Sequence, residues 1–501
     1  MCKPSSSSRR EVVVVGAGPA GLLVTLLLLQ RNEKLEQESS SLRYHVTLVD
    51  GRQDFGLLDP ETDLKKFRSW MLGLASHGLT ALREIPELYN DYVTHVGVRL
   101  EAVALHFGAK EIKVAAGSEG DDTEGYIVDR NFIVAALARF LRDKYQDSPY
   151  LTTHYKHQLL YVDHEHDRVL VRNTTSSIDS ESYLPYDLLM GCDGLRSVVR
   201  EALVKMRPDF EMDIGDIFQE FKAVHVKCPE NVDPKCMHIL PHCFSYMTGI
   251  GLPETGGVIN ISIGGPRHTF DKIAKELKSS DPEVVAEFME KNFKPFRLDD
   301  YMDFAKQWVN QKWNRTGMVH CNIYHSGDSV CIMGDAAHAT SPSIGMGMNQ
   351  ALRDAQTFCQ LLEQNKDDLA TTLEAFSNAR VKEGNSLTDL AMHLYCLDDN
   401  CQLLETIHTV LRGALSSIGL ATKHPQQMIG LNQYMLSDVY DVAFKLGIIS
   451  RHKRINARIR QEYFERTTGM TKPDAGLSRW IWMTATAGIL IALAWVAPKS
   501  R

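Results

Sequence analysis

The chain alternates between two hydrophobic rhythms. Residues 11–15 form a β-branched run that ends at Gly16, and residues 22–29 are apolar over two helical turns, so a strand and a helix meet at a glycine turn. A second strand-like run at 44–49 ends in Asp50, and the polar stretch 31–43 lengthens either the helix or the loop after it. Residues 65–82 lead into a helix starting near His77, while Phe132, Leu137 and Leu141 recur at helical spacing behind Arg130. Residues 186–192 form another buried strand, turned by Asp193 and Gly194 toward a basic helix start with Arg196 and Arg200. From about 205 to 311 the pattern changes to strands with longer connections, at 220–227, 236–240, 244–252 and 257–263. The run 329–335 is a strand ending in an acid, Pro342 closes a turn, and Gly345, Gly347 and Asn349 lead into a helix beginning near Gln350. After Asp354 helical stripes dominate through Arg466.

Strands that alternate with helices predict an α/β fold. Gly16, Gly18 and Gly21 complete GxGxxG, with Pro19 and Ala20 inside it. The first glycine permits the tight turn, the second lets the backbone approach a pyrophosphate, and the third lets helix and strand pack closely. Asp50, at the end of the next strand, suits the hydroxyls of an adenosine ribose, although it arrives later than the usual ~20 residues because 31–43 intervenes. At 347–349, the free amides and dipole of a helix N-terminus suit an electron-rich edge that becomes anionic, such as the pyrimidine side of a flavin. Asp335 is placed there to accept hydrogen bonds from sugar-like hydroxyls. Alone, that strand, acid and turn would be an ordinary strand-to-helix connection; the N-terminal fingerprint shifts the balance. There is one such fingerprint, so a nicotinamide co-substrate is expected to bind transiently over a surface or cleft.

The net charge of −8, without a basic domain, argues against nucleic acid as the main partner. Ten cysteines without CxxC pairs make a disulfide framework or a zinc site unexpected, and no metal ligand is assigned. The N-terminal MCKPSSSSRRE has no apolar core and is not a secretory signal. Residues 480–497 carry no charge and suffice to span a bilayer core of ~30 Å. Trp480, Trp482 and Trp495 lie at the two ends, Arg479, Lys499 and Arg501 flank them, and the basic segment 451–460 precedes them. A buried core helix is the plain alternative; a membrane anchor with the body facing the cytosol is the expectation.

GAGPAG, CDGLRSVVR at 192–200 and GDAAHATSPSIGMGMN from Gly334 together resemble the three flavin motifs of the single-component FAD-dependent aromatic hydroxylases, the para-hydroxybenzoate hydroxylase family. Within that family the chain is most similar to the kynurenine 3-monooxygenase branch. The resemblance implies FAD as cofactor, NADPH or NADH as co-substrate, O2 as oxidant, and an electron-rich, aromatic small molecule as substrate. It implies cofactor contacts from Arg68, from Arg130 near the pyrophosphate, from Asp193 and Gly194, from Asp335, and from Gly347, Met348 and Asn349. The implied fold is a Rossmann-like FAD-binding domain with an inserted mixed-sheet substrate domain, a C-terminal helical region and a terminal transmembrane helix. The corresponding bounds are 11–204 and 319–365 for the FAD core, with substrate-side segments near 68–117, then 205–318, 366–476 and 480–497. A similar terminal anchor places members of the branch on the mitochondrial outer membrane; the basic flanks here leave that membrane and the endoplasmic reticulum both open.

The resemblance thins at the substrate. The branch holds the amino-acid carboxylate with an arginine, where this chain has Glu101 or Ala102, with Arg99 nearby in a different register. A tyrosine is replaced within VAAG at 114–117, a helical asparagine becomes Leu394, and SIGMGMN stands where the branch has two phenylalanines and a glutamine. A bidentate arginine is the residue best suited to a carboxylate, so kynurenine itself is not the expected substrate. Arg99, His238 and Tyr395 are the substrate-side candidates, with a sheet-satisfied histidine and a core tyrosine as the plainer readings of the last two. No side chain is assigned as catalytic. Two other classes remain in play: a flavin-dependent reductase or dehydrogenase acting on an apolar membrane-borne substrate, and a flavin-bound interaction protein that scarcely turns over.

Overall fold

Val12, Val13 and Val14 are almost fully buried because the strand Arg9–Val15 runs through the middle of a six-stranded sheet. Across that sheet the order is His325–Ser326, Val330–Ile332, Leu188–Gly191, Arg9–Val15, Arg43–Asp50 and Leu151–Tyr155. Every pairing is parallel except the short edge pair. Parallel strands are covered on both faces, which is why these segments read as continuous apolar runs. The computed structural model describes residues 8–469 apart from 61, 65, 66, 68, 116–123 and 176–179. The contact expected from Arg68 and the anchor expected at 480–497 therefore lie outside the described residues.

The polar stretch after the first helix is mostly more helix, since that helix spans Pro19–Gln37. Arg31 pairs with Asp367 and Glu38, and Asn32 exchanges hydrogen bonds with the backbone of Tyr44, which fixes the extra turns against the sheet. At the other end, a Cβ on Gly16 would stand 2.2 Å from the carbonyl oxygen of Cys192, and one on Gly21 would stand 1.9 Å from that of Gly16. Both are positions where only glycine lets strand, turn and helix approach.

A second six-stranded sheet runs Gln219–Lys227, Val258–Pro266, Met247–Glu254, Cys236–Phe244, Ala102–Phe107 and Lys110–Ala115. The four strands expected from 220 to 263 are thus joined by two from far earlier in the chain, through one parallel pairing of Cys236–Phe244 with Ala102–Phe107. Helices Pro282–Asn292 and Tyr301–Val309 cover one face, where Trp308 and Phe304 pack with Val224, Ile261 and Met289. Toward the other face lies a small sheet of Met71–Ala75, Gly125–Asp129 and Gly97–Arg99. The molecule is an α/β fold with mixed sheets and a helical C-terminal region.

That region comprises Leu369–His393, Asp399–Ser417, Leu436–Lys445 and Ile448–Thr468, with a core that includes Leu387, Leu394, Leu436, Val439 and Ile448. Among the described residues no helix is long and apolar enough to cross a membrane.

Candidate functional site

The glycine turn, Asp50, the 192–194 segment and Gly334 all emerge from the C-terminal ends of neighbouring parallel strands. Strands of this kind aim their backbone and loops at a common crevice, where ligands of open α/β sheets bind. At Gly18 an added Cβ would meet nothing within 4 Å, in contrast to its clashing neighbours Gly16 and Gly21. The fingerprint thus has two glycines required by the protein and one that faces open space.

Asp50 is where the sequence placed it, but its carboxylate is already engaged. Oδ2 accepts from the backbone N–H of Ala17 at 2.6 Å and from Arg52 Nη2 at 2.9 Å, while Oδ1 accepts from Arg52 N at 2.7 Å and Nε at 3.0 Å. Arg52 lies over the Phe55 ring, and a narrow cleft between Ala17, Asp50, Arg52, Gln53, Phe55 and Tyr155 opens beside it. Asp50 holds the turn and the arginine; Arg52, missed in the sequence, shares the cleft with it.

Arg130 begins the helix Arg130–Tyr145, capped by Asp129, and its guanidinium lies 5.2 Å from the centre of the Trp70 ring. Burial lowers the pKa of Arg130; Asp335, then Asp129 and Asp50 act against that, and Arg52 adds to it. Arg130 and Asp335, from separate elements, thus lie close enough to act on one another, while Asp129 is taken up by the helix N-terminus. Asp335 itself is exposed. Asp193 caps the helix Val198–Met206 through Oδ2, which accepts from Val198 N at 2.7 Å, while its Oδ1 is buried with no hydrogen-bond partner. Burial raises the Asp193 pKa, against hydrogen bonds from Ser197 and the backbone. Gly194 follows at φ +77°, a conformation that favours glycine. Arg200, fully buried, donates to the carbonyls of Ala336 and Leu195, and so ties the second motif to the third.

The third motif is fixed by residues beyond its glycines. Helix Gly347–Gln364 starts one turn earlier than the sequence suggested. Its first N–H groups, at 347–349, have no intrahelical acceptor and are available to a ligand. The Asn349 side chain is not: it donates to the carbonyls of Gly73 and Gly345, and its Oδ1 accepts from Ala75 N at 2.8 Å. Met348 is likewise buried, so both contribute backbone only. Behind them Asp354, with no exposed surface, accepts from Gly334 N at 2.8 Å and from Arg380 Nε at 2.6 Å, and His338 Nε2 lies 2.6 Å away. Arg380 also donates to Gln350 Oε1 at 2.6 Å. Burial alone would raise the Asp354 pKa, but His338 and Arg380 outweigh it and bring it to about 2.

The substrate-side candidates do not come together. His238 is fully buried, with Nδ1 2.9 Å from His106 Nε2 and Nε2 3.1 Å from the carbonyl of Asp233. Strand residues alternate sides, and Met237, not His238, joins the cluster of Met71, Ile127 and Leu252 toward the small sheet. His238 instead packs on Phe296 at the helix-covered face, where burial lowers its pKa, so its candidacy as a substrate contact is withdrawn. Glu101 pairs with Lys235 on the surface, and Leu394 is fully buried among the C-terminal helices. Tyr395 keeps 40% of its surface open. Arg99 is in register with Tyr126, whose hydroxyl pKa burial and Tyr89 raise and Arg99 lowers. Arg83, over the Tyr89 ring, completes this group by donating to Tyr89 and Glu124. Val114 is exposed, and 116–117 lie outside the described residues.

Replacing Asp354 by Asn strands a buried arginine and should cost about 3–5 kcal/mol of stability. Because the folded-state pKa of Asp354 is depressed from 3.8 to about 2, its contribution is present above the former and lost as pH falls through the latter. The variant should therefore unfold earlier in urea at neutral pH, with a shallower loss of stability on acidification; an unchanged midpoint would show that the network carries no stability.

Residues 121–389 match the family described as FAD binding domain. The kynurenine 3-monooxygenase of Caenorhabditis elegans is 26% identical over 351 residues, covering 66% of this chain and 72% of that protein. That of Neurospora crassa is 26% identical over 431 residues, covering 78% and 82%. Klebsiella pneumoniae HpxO, solved with FAD and uric acid, superposes with a TM-score of 0.58 at 17% identity, over 85% of this chain and 98% of that one. With more than half of its length matched and its three glycine-bearing turns gathered at one sheet end, the chain belongs to the FAD binding domain family.

Proposed function

We propose that this chain is an FAD-dependent monooxygenase of the kynurenine 3-monooxygenase type, hydroxylating an electron-rich aromatic small molecule with a nicotinamide co-substrate and O2. One observation carries the reading: the open face of Gly18 and the exposed Asp335 stand at the C-terminal ends of strands of one parallel sheet, with the half-buried Arg130 close enough to Asp335 to feel its charge. Those groups fit FAD. Gly16 to Gly21, including Pro19 and Ala20, would take the pyrophosphate, with Arg130 beside it. Asp50 and Arg52 would face the adenosine end, Asp193, Gly194 and Asp335 the linker hydroxyls, and the amides at 347–349 the ring edge that gains negative charge. When bound, FAD supplies reduction by NADPH, or NADH, and activation of O2 for transfer of one oxygen atom to the substrate ring. The protein orients the ring, excludes water and stabilises charge through those amides. No side chain is needed as a nucleophile.

The apolar clusters of the parallel sheet, the mixed sheet and the C-terminal helices broadly follow the division at 11–204 with 319–365, 205–318 and 366–476, except that 102–115 joins the mixed sheet, Leu373 and Phe376 pack with the first cluster and Met346 with the third. For substrate recognition, Arg99 with Tyr126 and the partly open Tyr395 are the groups at hand; no arginine stands at 101 or 102 to hold kynurenine's carboxylate. Residues 480–497 anchor the chain in the mitochondrial outer membrane or the endoplasmic reticulum, with the catalytic body in the cytosol. Their uncharged composition and basic flanks support this. So does helix Asp399–Ser417, which leaves Leu403, Leu404, Val410, Leu411 and Leu415 exposed as an apolar stripe.

The Asp335→Ala variant should bind FAD about 10- to 100-fold more weakly, the equivalent of a charged hydrogen bond of ~1.5–3 kcal/mol; undiminished affinity by flavin-fluorescence titration would remove Asp335 from the site. Oxygen uptake and NADPH oxidation against a panel of aromatic substrates should show stoichiometric oxygen consumption with some members and poor, uncoupled turnover with kynurenine. Nicotinamide oxidation without oxygen uptake would favour a reductase, the absence of turnover an interaction protein, and efficient kynurenine 3-hydroxylation would restore a carboxylate clamp built on Arg99. Ending the chain at Ser478 should release it from membranes that hold the full-length protein through alkaline carbonate washing; equal partitioning of the two forms would defeat the anchor.

A further inference from the structure

The turn between helices Leu369–His393 and Asp399–Ser417 carries Cys396, and the first turn of the second helix carries Cys401. His452, on helix Ile448–Thr468, lies against both: one donor atom from each of the three stands within 4.8 Å of the others. Cys396 and His452 are buried, and neither cysteine is in a disulfide. His452 Nδ1 is 2.9 Å from the carbonyl oxygen of His393, whereas its Nε2 is buried without a hydrogen-bond partner. A core imidazole nitrogen left in that state calls for an explanation.

The chemistry of the group is that of a metal site. Metal-binding histidines characteristically use the second ring nitrogen on a backbone carbonyl or a carboxylate, which fixes the ring and the tautomer, and His452 has that arrangement. Two sulfurs and an imidazole favour zinc among the common divalent cations. Tetrahedral zinc with bonds of about 2.0–2.3 Å sets neighbouring ligand atoms roughly 3.3–3.8 Å apart, a side-chain adjustment from what is observed. A carboxylate stands just outside the trio: Glu405 Oε2 lies 3.7 Å from His452 Nε2. Glu405 is itself buried, with His408, His424 and Arg451 around its carboxyl. Its Oε2 already accepts from Arg451 at 2.6 Å, so Arg451 would share that oxygen. Binding a cation would displace the two thiol protons to solvent.

We propose that Cys396, Cys401 and His452 form a structural zinc site, with Glu405 as fourth donor, that ties the turn bearing Tyr395 to the helix Ile448–Thr468. None of these residues takes part in the flavin crevice, so the site stands or falls independently of the proposed activity. Its effect on catalysis is indirect: Cys396 follows Tyr395 directly, and clamping the one positions the other.

The full-length protein, purified without chelators and in the presence of reductant, should contain one zinc per chain by atomic emission. Exchange for Co2+ should give thiolate-to-cobalt charge-transfer absorption and the intense visible bands of a tetrahedral ion. Cys401→Ser and His452→Gln should lose the metal and those bands, while Cys228→Ser, in the mixed sheet, should keep both. FAD content, measured on every variant, reports whether each has folded. Should either site variant fail to fold, the wild-type cobalt spectrum decides alone. Wild-type protein that neither holds zinc nor gives a thiolate–cobalt band would overturn the proposal. So would zinc retained in Cys401→Ser at unchanged stoichiometry, which would move it to another cluster such as His106, Glu111 and His238. Recovery of Cys396 and Cys401 cross-linked to each other despite added zinc would overturn it in favour of a redox pair.

Discussion

Asp354 is an ionised carboxylate with no exposed surface, and the flavin side of the molecule is arranged around it. It fastens the amide of Gly334 at the end of one strand, His338 on the short turn of helix that follows, and Arg380 from a helix further along the chain. An ion so placed is expensive to bury unless each of its acceptor positions is met by a donor of fixed geometry. Here they are met, and the cost of breaking any one of them makes the whole turn rigid. The consequence is positional: Gly334 at φ +59° delivers Asp335 to the crevice, and the helix N-terminus at Gly347 is held across from it. Arg200 performs the matching task for the second motif by donating to the carbonyls of Ala336 and Leu195. On this side the groups that would touch a cofactor are thus backbone amides and the exposed Asp335, and the residues that aim them are buried ions.

The substrate side is governed by the two-residue alternation of a strand and by which face the helices cover. Met237 and His238 are adjacent in sequence and on opposite faces of the mixed sheet. The face that receives helices Pro282–Asn292 and Tyr301–Val309 takes His238 into a group with His106 and Phe296, while the other presents Met237 beside Met71 and Ile127. Polar groups beside that face come from outside the mixed sheet: Arg99 and Tyr126 pair on the small sheet, and Arg83 and Tyr89 belong to the helical segments between its strands, where Arg83 shares its charge with the Tyr89 ring and hydroxyl.

Much of the architecture could be read from the residues alone. Continuous apolar runs ending in glycine or an acid identified the parallel strands, since only strands buried on both faces tolerate that pattern. The glycine spacing at 16, 18 and 21 identified the crevice, because the geometric demands of close packing and of open approach fall on different glycines and are written into their order. Tertiary structure decided the rest, and for one physical reason: the partner that completes each group lies far along the chain. Asp354 is tied to Arg380, Asn349 to Gly73, Asp50 to Ala17, and the strand Cys236–Phe244 to Ala102–Phe107. Local pattern could propose His238 as a substrate contact, but could not see that His106, Asp233 and Phe296 from other elements had already satisfied it. Nor could it see that Cys396 and Cys401, without a CxxC pair, would meet a histidine half a hundred residues on; hydrophobic periodicity fixes which face of each element is buried, and only packing fixes which side chains meet there.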